Sequence, residues 1–176
     1  DGGERVIFSG QISGVVFINY IPNTTLYTTL RNMEVRDGAD TFGAINSSSP
    51  LLLDGVVMRN NGSESVSSGA VFSTHHLKVR NSHFEGNKGL VNGGAINQDN
   101  QSISNATISI FNSSFVGNSS ENGGAISFAP FEGSENSLLV VNSVFYANSN
   151  SGQLGSAIAV FGSGSLKMYN STVVGN

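Results

Sequence analysis

Apolar and polar residues alternate with a period of two over several short segments of the chain. In the segment 77–80, Leu77 and Val79 are apolar while Lys78 and Arg80 are charged. The same pair of apolar positions recurs at Ile108 and Ile110, Leu138 and Val140, and Leu166 and Met168. A period of two is typical of a β-strand with one buried face. Because no stretch keeps the helical spacing of apolar residues over the length of a helix, we predict an all-β protein.

These alternating segments belong to an internal repeat. Four similar stretches align with one another, at 77–87, 108–118, 138–148 and 166–176, and a weaker copy occupies 50–60. The closing asparagines are Asn60, Asn87, Asn118, Asn148 and Asn176, which gives steps of 27, 31, 30 and 28 residues. A period of roughly 20–50 residues indicates a solenoid, a propeller or another array.

Each repeat contains three short apolar patches: the alternating strand, a patch centred on Phe or Val, and a Gly-Ala-Ile-like string. A propeller blade would need four strands in roughly 40–45 residues. We therefore predict a right-handed parallel β-helix with three short strands per rung and 27–31 residues per repeat. We interpret 1–176 as a single domain in which 1–40 form atypical early rungs and 41–176 the regular repeats. Since the last residues stop within a repeat, we expect a fragment of a longer chain.

Equivalent residues of successive rungs lie directly above one another in a β-helix, roughly 4.8 Å apart. Two interior files are predicted: Phe84, Phe115 and Phe145 flanked by Val57 and Val173, and Ile45, Val71, Ile96, Ile126 and Ile158. Asparagines are expected to form ladders, because a side-chain amide donates to one neighbouring rung and accepts from the other. The predicted ladders are Asn81, Asn112, Asn142 and Asn170 above Asp54, and Asn60, Asn87, Asn118, Asn148 and Asn176.

Two alternating motifs resemble the repeat of a known bacterial family. Phe-x-x-Asn and Gly-Gly-Ala-Ile alternate along the chain, the first at 84–87, 115–118 and 145–148, the second at 93–96 and 123–126. This pairing, over about residues 40–176, is similar to the repeat of chlamydial polymorphic outer-membrane proteins. The resemblance implies a β-helical autotransporter passenger with an adhesin role.

Composition argues against several classes of function. The formal net charge is -4, and eight Lys and Arg residues are spread thinly, so no basic stripe for nucleic acid is present. The absence of cysteine excludes disulfides, thiolate metal sites and thiol nucleophiles. The longest apolar runs, such as 14–18, fall well short of the roughly 20 residues that span a membrane.

Few residues are candidates for catalysis. Polysaccharide-active β-helices gather carboxylates on neighbouring rungs for acid/base work or calcium binding. The candidates here are Glu34, Asp37, Asp40 and Asp54, but we expect Asp37 and Asp40 to cap a Gly-containing turn. His75 and His76 are neighbours that point to opposite faces of a strand, which disfavours a metal site. We predict no catalytic residue, no metal and no cofactor.

An outward-facing apolar strip is the main candidate for an interface. Residues that precede each corner asparagine should point outward, yet several of them are apolar. The predicted interface consists of Leu51, Leu53, Phe111, Leu139, Val141 and Tyr169. Such a strip often marks a contact surface. The alternative is that the long segments 97–107 or 127–137 fold back over it.

Three Asn-x-Ser/Thr sites in longer connections are candidates for glycosylation in a eukaryotic secreted protein: Asn61, Asn100 and Asn105. Together these features favour a non-enzymatic module, extracellular or on the cell surface, that acts as an adhesin passenger or as a structural unit of a surface assembly. Expected partners are a protein or glycan on another surface, or further copies or segments of the same assembly. The alternative is a carbohydrate-binding or pectate-lyase-like β-helix with its chemistry around Asp37, Asp40 and Asp54.

Overall fold

A computed structural model describes residues 6–9, 16–18, 26–40, 42–63, 65, 67–100, 105, 107–130 and 136–176. Within these residues every regular element is a β-strand. The strands are β1 Val6–Ser9, β2 Val16–Ile18, β3 Thr28–Arg31, β4 Met33–Arg36, β5 Ile45–Ser47, β6 Leu51–Asp54, β7 Val57–Arg59, β8 Val71–Ser73, β9 Leu77–Arg80, β10 His83–Glu85, β11 Ile96–Asn100, β12 Thr107–Phe111, β13 Ser114–Val116, β14 Ser119–Asn122, β15 Ile126–Pro130, β16 Ser137–Val141, β17 Val144–Tyr146, β18 Ser149–Leu154, β19 Ile158–Val160, β20 Ser165–Tyr169 and β21 Thr172–Val174.

The strands wind into a parallel β-helix whose successive turns pair in three sheets. We name the sheets after their inward side chains. The Ile sheet has the order β19-β15-β11-β8-β5-β2, the Leu sheet β20-β16-β12-β9-β6-β3, and the Phe sheet β1-β4-β7-β10-β13-β17-β21. Along the chain, a strand of the Ile sheet is followed by one of the Leu sheet and then by one of the Phe sheet. Strands that precede residue 41 join the same three sheets as the regular repeats.

Like side chains stack on like in the interior. Phe84 pairs with Phe115, and Phe115 pairs with Phe145. Their ring centroids are 4.8 Å apart in both pairs, with interplanar angles of 8° and 3°. The predicted file of Ile45, Val71, Ile96, Ile126 and Ile158 is likewise in register. Each fully buried side chain of this size stabilises the fold by about 1.5–3 kcal/mol.

The weak repeat at 50–60 is displaced by one residue from the predicted alignment. Leu51 pairs with Leu77 and Leu53 with Val79, so both leucines are fully buried and their prediction as interface residues was wrong. Met58, not Val57, lies under Phe84. In a strand, a slip of one residue moves every side chain to the opposite face.

A fully buried asparagine ladder closes the Phe sheet, and its first member is Asn61, not Asn60. The Nδ2 atom of Asn118 donates to Asn148 Oδ1 at 2.9 Å and to the Phe84 carbonyl at 3.1 Å. In return, Asn118 Oδ1 accepts from the backbone N and the Nδ2 of Asn87 at 3.1 and 2.8 Å. Asn87 and Asn148 make the same four contacts. At the two ends of the ladder, Asn61 Oδ1 accepts from the Gly38 backbone N at 3.1 Å, and Asn176 Oδ1 accepts from the backbone N and the Nδ2 of Asn148. Each buried amide therefore has its partners.

The second ladder is exposed, and its asparagines matter more for their backbone conformation than for their side-chain hydrogen bonds. Asn81, Asn112, Asn142 and Asn170 adopt positive φ angles of 46° to 52° at the corner between the Leu and Phe sheets. Asparagine tolerates this left-handed conformation better than most residues. The amide contacts from Asn112 to Asn81 and from Asn142 to Asn112 are long, at 3.4 Å. Gly55 occupies the equivalent corner below Asn81, while Asp54 lies one position earlier and still accepts from Asn81 Nδ2 at 3.2 Å.

A serine ladder that was not predicted runs just behind this corner. The Oγ atom of Ser113 accepts from the backbone N of Ser82 at 3.2 Å and donates to the Phe111 carbonyl at 2.8 Å. Ser82, Ser143 and Ser171 make the equivalent contacts on their own rungs. The sequence signal was the Ser that follows each corner Asn. These hydroxyls satisfy backbone groups where the chain leaves one sheet for the next.

We expect Asn118→Ala to destabilise the fold strongly, because it leaves buried donors on Asn87 and a buried carbonyl on Phe84 without partners. Unsatisfied buried groups cost about 1–3 kcal/mol each, so the loss should be roughly 3–5 kcal/mol. Urea unfolding followed by circular dichroism measures it. Asn112→Gly is the control: its amide is exposed and glycine suits a positive φ, so its effect should stay within about 0.5 kcal/mol. Equal losses in the two variants would contradict the ladder's role.

The Gly-Gly corner is expected to tolerate no side chain at Gly124. A Cβ atom built there would lie 2.2 Å from the Ser156 carbonyl oxygen and 2.3 Å from that of Ser149, both rigid backbone atoms of the next rung. Gly124→Ala should therefore unfold at clearly lower urea than the parent. Gly117→Ala is the control, because a Cβ at Gly117 meets nothing within 4 Å and carries only the strain of φ +61°, about 1 kcal/mol. A smaller loss for Gly124→Ala than for Gly117→Ala would refute close contact between rungs.

Candidate contact surface

Charged side chains form vertical ladders on the outer faces of the early rungs. On the Leu sheet, Asp54 lies between two arginines, at 2.9 Å from Arg31 and 3.0 Å from Arg80. On the Phe sheet, Arg59 lies 3.0 Å from Glu85 and 3.8 Å from Glu34. Exposed ion pairs of this kind add at most about 1 kcal/mol each. Their main consequence is a hydrated, polar surface on this part of the coil.

Apolar side chains replace these charges in the same columns on the later rungs. On the Leu sheet, Phe111 follows directly above Arg80, and Val141 and Tyr169 continue the column. On the Phe sheet, Val116 follows directly above Glu85, and Tyr146 and Val174 continue that column. The change from charged to apolar therefore occurs at the same turn on both sheets.

These six side chains form one candidate contact surface, which consists of Phe111, Val141, Tyr169, Val116, Tyr146 and Val174. Phe111 is 36% exposed, Tyr146 52% and Tyr169 56%, and the other three are half-buried or exposed. The corner asparagines Asn112, Asn142 and Asn170 run between the two apolar columns. Exposed apolar side chains that adjoin polar ones are typical of a protein-binding surface.

Sequence reasoning located part of this surface. Phe111, Val141 and Tyr169 point outward, and Leu139 lies partly exposed beside them. The outward positions predicted for Leu51 and Leu53 belong to their neighbours Leu52 and Asp54. The column on the Phe sheet was not predicted, although Val116, Tyr146 and Val174 directly follow the buried residue of each strand. The alternative that 97–107 or 127–137 cover the strip involves residues 101–104, 106 and 131–135, which lie outside the described residues, and it stays a hypothesis.

The acidic candidates occupy different corners of the coil. Asp54 ends a strand of the Leu sheet and is held by two arginines, whereas Asp37 follows a strand of the Phe sheet in a left-handed corner with φ 57°. Asp37 accepts from Ser9 Oγ at 3.2 Å and lies 3.7 Å from Arg36. Across the described ranges no three His, Asp or Glu side chains converge as metal ligands.

The histidines take part in hydrogen bonds of the framework. His76 Nδ1 accepts from the Thr107 backbone N at 3.2 Å, and burial lowers the pKa of both His75 and His76 below the usual value. His83 bonds to Ser114 Oγ at 2.6 Å and lies 3.3 Å from Glu85. The contacts of His76 with Thr107 and of His83 with Ser114 join neighbouring rungs, whereas His83 and Glu85 belong to the same strand.

One glycosylation candidate is contradicted by the structure. Asn61 is fully buried, and its Nδ2 donates to the Val35 carbonyl at 2.9 Å, so a glycan cannot be attached there without breaking the ladder. Asn105 is exposed and stays a candidate. The side chain of Asn100 lies outside the described residues.

Fold and surface together place the chain among the parallel β-helix solenoid proteins. No protein-family model, curated protein or solved structure matches it. None of the described residues lies in a helix of the length and apolarity needed to cross a membrane.

The Asp54 ladder is expected to stabilise the fold in a pH-dependent way. The hydrogen bond from Arg80 is the largest cause that lowers the pKa of Asp54 below its usual 3.8, and Asn81 and Arg31 act in the same direction. A lowered pKa in the folded state contributes stability above the unfolded value of 3.8, and this contribution is lost as the pH falls through the folded value. The difference in melting temperature between the parent and Asp54→Asn should therefore shrink between pH 5 and pH 2. A difference in melting temperature that stays constant over this range would contradict a stabilising role of the Asp54 carboxylate.

Proposed function

We propose that this chain is a non-enzymatic extracellular or cell-surface module, an adhesin passenger or structural unit of a surface assembly, that binds a protein through its contact surface. The observation that supports this proposal is the replacement of charged by apolar columns on two adjacent sheets at one turn of the coil. A partner that covered these exposed apolar side chains would stabilise the complex by about 25 cal/mol per Å² of apolar surface buried.

The framework suits such a role because it is stiff and its outer positions are free to vary. Successive turns are joined by backbone hydrogen bonds in three sheets, by the buried asparagine ladder and by the stacked phenylalanines. None of these contacts uses an outward side chain. Outward residues can therefore be substituted to fit a partner while the core contacts stay the same, as in other solenoid proteins with extended binding faces.

The resemblance to the repeats of chlamydial polymorphic outer-membrane proteins is the second support, since that family consists of surface adhesins. It rests on the Phe-x-x-Asn and Gly-Gly-Ala-Ile strings, which in this fold are the Phe file with its ladder and the corner into the Ile sheet. These strings specify the coil. The outer columns that would contact a partner occupy positions that the strings leave variable. Phe111 and Val141 lie before Phe-x-x-Asn, and Val116 and Tyr146 fill its first variable position.

A polysaccharide-active β-helix is the less favoured function. Such an enzyme needs carboxylates within reach of one bond. Asp37 and Asp54 lie at opposite edges of the Phe sheet, because Asp37 follows β4 whereas Asp54 precedes β7. An assay with polygalacturonate and calcium tests it directly. Release of unsaturated product that Asp40→Ala abolishes would replace the proposed function with this one.

The contact surface is tested by the triple variant Phe111→Ser, Val141→Ser, Tyr146→Ser. Labelled parent chain is expected to bind cultured epithelial cells or to self-associate in sedimentation velocity, and the variant should weaken that association at least tenfold. Its melting temperature should change little, because exposed substitutions usually alter stability by about 0.5 kcal/mol or less.

A matched pair of single variants serves as the control. Val144 and Val57 occupy the same outward column of the Phe sheet, Val144 on the apolar rungs and Val57 on the charged ones. Val144→Ser should weaken the association and Val57→Ser should not. Unchanged association of the triple variant together with a large loss of stability would show that these side chains serve the fold. Absence of any association by the parent chain would also overturn the proposal.

A further inference from the structure

A fourth, two-stranded sheet lies in the connection between the Phe and Ile sheets on the later rungs. β14 and β18 pair in parallel, but their register shifts between Ser120 and Asn122. While β14 advances two residues from Ser120 to Asn122, β18 advances four residues from Asn150 to Leu154, so residues 151–153 form a bulge in β18. Two adjoining depressions of about 540 and 500 Å³ lie along the bulge and share Ser151. Volumes of this size hold small ligands in proteins.

The lining of this groove is polar but almost uncharged. Three of its polar side chains are bonded to the protein: Ser120 Oγ donates to the Asn122 carbonyl at 2.8 Å, Asn122 Nδ2 to the Val91 carbonyl at 3.3 Å and Asn150 Nδ2 to the Gly152 carbonyl at 3.0 Å. The other five are the hydroxyls of Ser119, Ser149 and Ser151, the Gln153 amide and the Glu121 carboxylate. Within the described part of the chain, these five side chains make no hydrogen bond to another protein group, in contrast to the asparagine and serine ladders. Two leucines that are each 46% exposed, Leu90 and Leu154, add apolar surface at the groove.

We propose that this groove binds a neutral saccharide. A sugar presents hydroxyl groups that both donate and accept, and the serines and Gln153 offer both functions in return. The two oxygens of a carboxylate such as Glu121 can accept from two adjacent hydroxyls of one ring in charge-assisted bonds. The exposed leucines match the C–H face of a sugar ring. Each kind of group in the lining therefore has a counterpart in a saccharide.

The negative charge of Glu121 disfavours anionic ligands in the groove. Among the described residues no lysine or arginine lines either depression, so a phosphate or a uronate would meet Glu121 without a compensating cation. Glu121 is also the single carboxylate in the lining, whereas glycoside cleavage uses two. The groove is thus suited to binding without cleavage.

Gly152 lies where β18 approaches Glu121 in the groove. A Cβ atom built at Gly152 would lie 2.5 Å from the Glu121 carbonyl oxygen and 2.9 Å from Glu121 Cγ. The glycine therefore allows β18 to approach β14 beside the carboxylate. Gly152→Ala should push the bulge away from Glu121 and disturb the site without touching the core of the coil.

Binding is tested with a panel of neutral disaccharides, namely lactose, maltose, cellobiose and N,N′-diacetylchitobiose, with digalacturonate as the anionic comparison. Amide shifts in NMR spectra of the folded chain should move on addition of at least one neutral sugar, within 119–122 and 149–154. Glu121→Ala should weaken this binding roughly tenfold or more, since it removes charge-assisted hydrogen bonds. Gly152→Ala should weaken it as well, while circular dichroism shows an intact β fold.

The contact surface supplies the independent control. Tyr146 does not line the groove, so Tyr146→Ser should leave sugar binding unchanged, and Glu121→Ala should leave cell binding or self-association unchanged. This separates a failure of the saccharide site from a failure of the proposed function. The saccharide proposal is overturned if no neutral sugar shifts the spectrum, if digalacturonate alone binds, or if binding survives both Glu121→Ala and Gly152→Ala.

Discussion

In-register parallel pairing between successive turns is the constraint on which this molecule depends. Each strand lies directly on the equivalent strand of the previous turn, so a residue's nearest neighbour outside its own strand is its own counterpart. For phenylalanine this produces a parallel stack, and for asparagine it produces a ladder in which every amide uses both neighbours. The ladder tolerates substitution less well than the stack, because the loss of one amide leaves buried polar groups on both neighbouring rungs without hydrogen-bond partners.

The same constraint separates the inside of the coil from its outside. Inward positions must match from turn to turn, whereas outward positions need only avoid disturbing the backbone. Charged ladders on the early rungs and apolar columns on the later ones are thus compatible with one unchanged core. The corner between the Phe and Ile sheets is also free to vary in length, and the extra residues of β18 make the groove there. Both candidate sites lie at positions that need not match from one turn to the next.

Register explains which predictions were wrong. The strings Asn-Ser-x-Phe-x-x-Asn and Gly-Gly-Ala-Ile aligned the later turns correctly, since they contain the corner residues. The earlier copy lacks them and has three leucines in succession, Leu51 to Leu53, which fit either face of a strand. Hydrogen bonding decided the matter: Asn61, not Asn60, reaches Asn87, and this sets Leu51 and Leu53 inward. The serine ladder was readable from the Ser that follows each corner asparagine, but its meaning depends on backbone groups that a sequence does not display.

By itself the sequence determined the β-helix, its three sheets, the period of its turns and, on the later turns, the Phe, Ile and asparagine files, because stacking forces the same residue type to recur at one interval. The tertiary structure decided what faces outward together. Val116 and Tyr146 lie across a corner from Phe111 and Val141, and Glu121 faces the bulge of β18, a strand about thirty positions further along the chain. The apolar columns recur with the period of the turns, but which columns meet at a corner and where β18 bulges depend on backbone pairing between turns, which no motif in the sequence records.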